Sequence, residues 1–192
     1  MNLEEADSLS EQIAKYISEQ IISGELVEGE RIQELRIAKE LDVSRGSVRE
    51  ALLLLERTYL IEIFPRRGAI VSEMSAQQVK ALFDTNVMVL GHIVQRISET
   101  WRVNEAEQLQ ALLDQLMEFV RAGDIEKFYD AIFKYLAEQH EMVANPYMMQ
   151  FYKELLPSLR RSYFLTLNTS RRELQESFTR FKLVIDAILI QK

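Results

Sequence analysis

The sequence has no cysteine, which removes disulfides, thiolate metal ligands and thiol nucleophiles together. A chain without disulfides fits a reducing cytoplasm. Six glycines and three prolines are few for 192 residues, and turn-rich all-β folds need more of both. No run reaches the roughly 18 consecutive apolar residues that a membrane-spanning helix requires, so no membrane partner is expected. The opening residues MNLEEADS are acidic and polar, unlike the basic start of a secretory signal. Positive charge is also short. The 23 Lys and Arg face 30 Asp and Glu, for a net charge of -7. That argues against nucleic-acid binding over the whole surface and leaves room for a local basic footprint.

Catalytic signatures are missing as well. There is no G-x-S-x-G elbow and no G-x-x-x-x-G-K-[ST] loop. "HEMVA", from His140, begins like a zinc-protease helix, but Ala144 stands where a second histidine would be needed. His92 is far away in the chain, and Trp101 with the Phe and Tyr residues falls at the spacing of a helical core. Nothing here makes a case for an enzyme.

What is present is helical periodicity. Capping patterns, in which Ser or Asn is followed three residues on by Glu or Gln, occur at Ser8/Glu11, Ser75/Gln78, Asn104/Glu107 and Ser170/Glu173. The first opens a helix with Leu9, Ile13, Ile17 and Ile21 on one stripe, stopped near Gly24. "RIQELRIAKELDV" gives a short second helix, and Ser44 is a natural cap for a third. From Leu60 the period changes: "LIEIF", the turn signal "PRRG" and "AIV" read as a hairpin. After Ser75 the pattern predicts helices near 76–101, 104–122, 124–143, 146–168 and 170–191. Leu109, Leu112, Leu113, Leu116 and Val120 form one buried stripe. Breaks are expected at Gly123–Asp124 and Asn145–Pro146. The fold class is therefore mainly α. An N-terminal winged helix-turn-helix with a small β-hairpin occupies 8–74, and an all-α bundle occupies 75–192.

"VSRGSVREAL", residues 43–52, concentrates arginines in this acidic chain. On the third helix Val48, Ala51, Leu52 and Leu55 face inward, while Arg45 and Arg49, one turn apart, flank that stripe. Ser44 and Ser47 lie in the first turn, where free N–H groups and the helix dipole favour phosphate. Gly46 lets a backbone come close, and Arg66 and Arg67 precede Gly68 at the hairpin tip, within reach of a minor groove or the backbone. Guanidinium groups suit phosphates and guanine edges alike. From Arg31 to Val71 basic residues exceed acidic ones by only two, so placement and not bulk charge carries the reading. An arginine pair beside Glu50 and Glu56 is, in isolation, more often a solvated helix face; the three-helix layout and the second pair at the hairpin tip reverse that. Arg57 suits a structural pair with Glu56 or Glu62.

The stretch "GELVEGERIQELRIAKELDVSRGSVREALLLLERTYLIEIFPRRGAIV" closely resembles the winged-helix domain of GntR-family bacterial transcription regulators. The resemblance lies in G-x-L-x-x-G-x-R-I, then VSR-x-x-VREAL-x-x-L, then the wing P-x-R-G-A-x-V, and covers residues 10–72. It implies that Ser44, Arg45, Gly46, Ser47 and Arg49 line the DNA surface with Arg66, Arg67 and Gly68 of the wing, and that Arg36 adds a phosphate contact. Glu28 departs from the pattern, since many members have proline there, and should matter little to binding.

The helical half resembles the FCD effector domain of the FadR-type subfamily, on "YDAIFKYL…NPYMMQFYKEL" and "FKLVIDAIL". The resemblance implies a homodimer, an operator with pseudo-palindromic symmetry, and a small organic acid held against a divalent metal by D-x-x-F-H and two later histidines. Here Asp130 and Phe133 fit, but Lys134 and Phe181 occupy the first two histidine positions, and the third falls on a last helix beyond Lys192. An ammonium cannot ligate a metal and repels it. The expectation is that no metal binds, and that Asp130 and Lys134 form an i,i+4 ion pair in or beside an effector pocket. Asn86 and Leu90 replace the Arg and Glu many members carry on the first helix of this domain, so the candidate pocket residues are Asn86, Asp130, Lys134 and Phe181. Three readings stand at this point. The first is an operator-binding regulator, and the second a metal-dependent sensor. The third is a helical interaction protein whose winged helix binds a protein partner and whose bundle only dimerises.

Overall fold

A computed structural model describes residues 7–100, 103–139, 143–166 and 171–190. Helix α1, Leu9–Ile22, starts on a complete capping box: Ser8 Oγ accepts from the Glu11 N–H, and Glu11 Oε2 accepts from the Ser8 N–H at 2.7 Å. Ile13, Ile17 and Ile21 are buried along one stripe, while Leu9 at its head is exposed. Gly24 then turns the chain with φ +81, as a glycine after a helix end does. Helix α2, Glu34–Glu40, and helix α3, Arg45–Glu56, follow, with the tight turn at Asp42 between them.

Strands β1, Ile61–Phe64, and β2, Gly68–Val71, pair antiparallel from Ile61↔Val71 to Phe64↔Gly68. Arg31 adds a single bridge to Ile70, lengthening the hairpin's edge. One apolar core joins these pieces, with Ile13, Ile17, Ile37, Val48, Leu52, Leu55, Leu60 and Val71 among its buried members.

The remaining helices are α4, Ala76–Thr100; α5, Val103–Ala122; α6, Ile125–Ala137; α7, Pro146–Thr166; and α8, Arg171–Ile190. Ser75 and Gln78 exchange bonds at the head of α4, Asp124 caps α6 through Lys127, and Asn145 caps α7 through Met148. Two expected boundaries differ. The helix expected over 124–143 stops at Ala137, where the Glu138 N–H is shared with the Tyr135 carbonyl and the Gln139 N–H turns back only three residues, to Leu136 at 3.4 Å. Asn104 lies inside α5 instead of capping it, since α5 already includes Val103. Trp101, His140 and Ser170 lie outside the described residues.

The chain forms two compact units, Met1–Lys80 with Glu154–Arg161, and Ala81–Lys153 with Ser162–Lys192. The division at Lys80/Ala81 falls later than the Met74–Ser75 boundary expected from sequence. The first unit also takes in a stretch of α7 that no local pattern assigns to it. In the second unit α5 packs on α6 and α8, burying Leu109, Leu113, Leu116, Phe128, Leu136, Leu174 and Ile185.

Candidate nucleic-acid interface

Helix α3 presents its outer face because its inner one is fully committed. Val48 and Ala51 have no exposure, and Leu52 and Leu55 are nearly as buried, which fixes the rotation of the helix about its axis. Ser44 at the N-cap, with φ -72 and ψ 150, accepts the Ser47 N–H at 3.0 Å, and its hydroxyl lies 2.9 Å from that of Ser47. No acidic side chain occupies the first turn of α3, so the positive end of the helix dipole faces outward with Arg45 and Gly46. Gly46 faces solvent with ordinary backbone angles, and an added Cβ would come 3.4 Å from Ser44 Oγ.

Arg45 and Arg49 share one counter-ion. Glu34 Oε2 on α2 accepts from Arg49 Nε at 2.9 Å and from Arg45 Nη2 at 3.2 Å. Both arginine side chains remain more than half exposed, so solvent screens the pairs and each is weak. The sequence suggested two unpaired cations. Folding instead brings a carboxylate eleven residues upstream against both of them. A phosphate arriving at α3 must therefore compete with Glu34 for the same N–H groups. Glu34→Gln is expected to tighten duplex binding at low salt by up to about 1 kcal/mol, with the gain fading as salt rises, by fluorescence anisotropy.

The wing carries a second cationic group. Arg66 (φ +65) and Gly68 (φ +82) take left-handed conformations, and the Arg67 N–H donates to the Phe64 carbonyl at 3.2 Å, closing the turn. Gly68 suits its position because left-handed φ carries no Cβ penalty there. Arg66 and Arg67 are both exposed. Arg31 was not singled out from sequence. Its bridge to Ile70 sets its guanidinium 3.6 Å from the place a Cβ on Gly68 would occupy, so a third arginine stands behind the wing tip. The signal available in sequence was its place in the G-x-R-I connection. Arg36 is exposed on α2.

Arg57 does not pair as expected. Its guanidinium meets Glu154, while Glu56 accepts the Ile63 N–H at 3.1 Å. Glu154 belongs to the α7 stretch within the first unit, and that stretch is tied down at several points. Ser158 Oγ donates to the Thr58 carbonyl at 2.7 Å, and Arg160 meets both carboxylate oxygens of Glu19. Arg161, with only 3% of its side chain exposed, donates to the Ser72 carbonyl at 2.8 Å and to Glu28 at 3.1 Å. Burial pushes the Arg161 guanidinium below its ordinary value and Glu28 opposes the shift; the group stays charged. Glu28, expected to matter little, also accepts the Met74 N–H at 3.3 Å.

Of the four residues expected to form an effector pocket, Lys134 faces solvent. Asn86 is buried in α4, Asp130 and Phe181 are half-buried, and Lys134 is 78% exposed with its ammonium toward Glu138 at 4.0 Å. Lys134 therefore does not line an interior site, because its helix turns it to solvent and Glu138 is its i+4 neighbour. The metal that the FCD resemblance implies does not fit this set: a carboxylate, an exposed ammonium and a phenyl ring are not a ligand sphere. Among the described residues no three His, Cys, Asp or Glu side chains gather to hold an ion. What α6 does bring inward is aromatic. Tyr129 stacks on Tyr163 at 4.4 Å between ring centres, and Phe133 and Phe83 also meet Tyr163, at 5.5 and 5.2 Å.

Comparison with known proteins agrees with both halves. Residues 9–71 match the family described as "Bacterial regulatory proteins, gntR family", and residues 81–191 match the FCD domain. The chain is 25% identical over 175 residues to the gluconate operon transcriptional repressor of Bacillus subtilis (strain 168), covering 88% of this chain and 69% of that protein. It is 26% identical over 124 residues to the transcriptional regulator McbR of Escherichia coli (strain K12), covering 62% and 54%. The solved structure of E. coli McbR/YncC superposes with a TM-score of 0.81 at 21% identity, over 97% of this chain and 89% of that one. A putative GntR regulator from Rhodococcus sp. RHA1 gives 0.73 at 21% identity, over 95% and 86%.

Proposed function

The chain belongs to the GntR family of bacterial regulatory proteins, with an FCD domain after its winged helix, and from that premise we propose that it is a homodimeric repressor reading a pseudo-palindromic operator under small-molecule control. It is a transcription regulator and not an enzyme. The observation that carries the operator reading is the pair Arg45 and Arg49 on the first turns of a serine-capped helix, with Arg66 and Arg67 on the wing. Ser44, Gly46 and Ser47 let the backbone of α3 approach phosphate, Arg36 and Gly68 complete the contact surface, and the two copies dock in successive major grooves. The gluconate operon repressor supports repression as the mode of action. Such a protein works in the cytoplasm.

Regulation requires an effector that binds the DNA-competent and DNA-incompetent forms of the dimer with different affinity. The experiment for the operator reading selects bound sequences from a random duplex pool and then titrates the winner against salt. Log affinity is expected to fall steeply with log salt, with a slope of about -0.9 for each phosphate contacted. A shallow slope with little duplex binding would support instead the module whose winged helix docks a protein partner. Sedimentation of the free chain tests the dimer.

A further inference from the structure

The turn that joins α3 to the wing is strained. Between Glu56, which ends α3, and Ile61, which begins β1, Tyr59 takes φ +61, a left-handed conformation that costs a bulky side chain free energy. Tyr59 is 61% exposed, so its own packing does not hold that shape. Its neighbours do. The Thr58 N–H and hydroxyl both donate to the Leu55 carbonyl, at 2.9 and 2.7 Å, which ties Thr58 to the last turn of α3. On the other side of Tyr59, Leu60 and Ile61 are buried in the core.

Both sides of this hinge are also held from far along the chain, by one face of α7. Ser158 and Arg161 stand one turn apart on that helix. Ser158, 2% exposed, donates to the Thr58 carbonyl at 2.7 Å, just past the end of α3. Arg161 donates to the carbonyl of Ser72, the residue that follows β2, and the Ser72 N–H in turn donates to the Leu60 carbonyl at 2.9 Å. The second arm of Arg161 reaches Glu28, whose neighbour Gly29 donates to the Val71 carbonyl at 3.0 Å. One turn before Ser158, Glu154 meets Arg57, the C-cap of α3. Two turns of α7 therefore bond both the end of α3 and the base of the wing. The tip of the wing amplifies any error at that base. Four strand residues make a lever of about 13 Å, on which a tilt of about 15° carries Arg66 and Arg67 about 3 Å, more than a hydrogen bond tolerates.

We propose that Glu154, Ser158 and Arg161 of α7 are positioning residues for DNA binding: they brace the strained hinge so that Arg66 and Arg67 meet the duplex while α3 lies in its groove. The role rests on the operator reading above, and none of the three residues touches DNA in it. A wing held at the right angle loses little freedom on binding, whereas an unbraced one must be ordered by the DNA itself, which weakens what its arginines contribute.

The test is a double-mutant cycle in the full chain, on the duplex selected from the random pool. Binding is read by fluorescence anisotropy over a salt series, at a temperature where circular dichroism shows every variant folded. In the parent, replacing Arg66 and Arg67 together by Ala is expected to weaken binding at least about tenfold and to lower the salt slope by about two, one for each phosphate contact. Ser158→Ala alone is expected to weaken binding about three- to tenfold. In that background the same wing replacement should cost less than about threefold and lower the slope by less than about one. Glu154→Ala, at a pair near the surface, is expected to reduce the wing's contribution in the same way and replaces Ser158→Ala if that variant does not fold. A stretch that only stabilised the unit would lower the melting temperature and leave the wing's contribution whole. The brace is overturned if the wing replacement costs as much in the α7 variants as in the parent, or if it costs the parent nothing. A parent that holds no duplex rejects the operator reading and the brace with it, while a parent that binds with an undiminished wing contribution in the variants rejects the brace alone.

Discussion

Arg45→Ala and Arg49→Ala are each expected to weaken binding to a selected operator by about 1–3 kcal/mol, with folding and oligomeric state unchanged. Neither side chain contributes to the core: both are more than half exposed, and the inward stripe of α3 does not include them. The losses should not add. Removing one arginine leaves Glu34 wholly to the other, so the survivor is held more firmly from the DNA, and the double variant loses less than the two single losses together. A guanidinium that reads a base edge also relaxes specificity at that base, whereas one on phosphate weakens all sequences alike and lowers the salt slope by about one. Gel-shift titration on matched and single-base-changed duplexes distinguishes these. Unchanged affinity in both variants would remove α3 from the interface.

Arg161→Met should cost the first unit about 2–4 kcal/mol, the largest stability effect expected from a single polar residue in this chain. Methionine keeps most of the volume and removes every donor. The Ser72 carbonyl loses its 2.8 Å partner at the end of the wing, and Glu28 loses the charge that opposes its own. Because Glu28 is nearly half exposed it can recover water, which is why the loss stays below that of a fully buried pair. Urea denaturation followed by the circular dichroism of the full chain measures the effect. The surface pair Arg172–Glu176 on α8 is the control, and Arg172→Met should change stability by less than about 0.5 kcal/mol. Equal stability of parent and Arg161→Met would show that the α7 stretch rests on the first unit without stabilising it.

Much of the fold could be read directly because it is local. The capping boxes at Ser8 and Ser75, the breaks at Gly123 and Asn145 and the buried face of α3 each depend on residues within one or two turns of each other. The hairpin was legible for the same reason, since "PRRG" separates two short β-rich runs. The expected end of α6 failed because its apolar period continues past Ala137, while the chain turns there through the backbone bonds of Glu138.

The site was legible in kind and not in arrangement. Residue types and spacing located the arginines of α3 and the wing, but not Glu34, which reaches them from another helix, nor Arg31, which reaches the wing through a single bridge. In the helical half, sequence placed Lys134 beside Asp130 at i+4, and the same spacing equally allowed Glu138, which is where the ammonium lies. Helical periodicity gives two such neighbours and does not choose between them.

What the sequence by itself determined is the order of helices, the hairpin and the outward arginines of α3, because each is a matter of residue type within a few turns. Only the tertiary structure decided that Glu34 holds both arginines and that Arg161 is buried against Ser72 and Glu28. Those contacts join residues 11 to 133 positions apart, and burial of a polar group is a property of everything packed around it. No period along a chain records that.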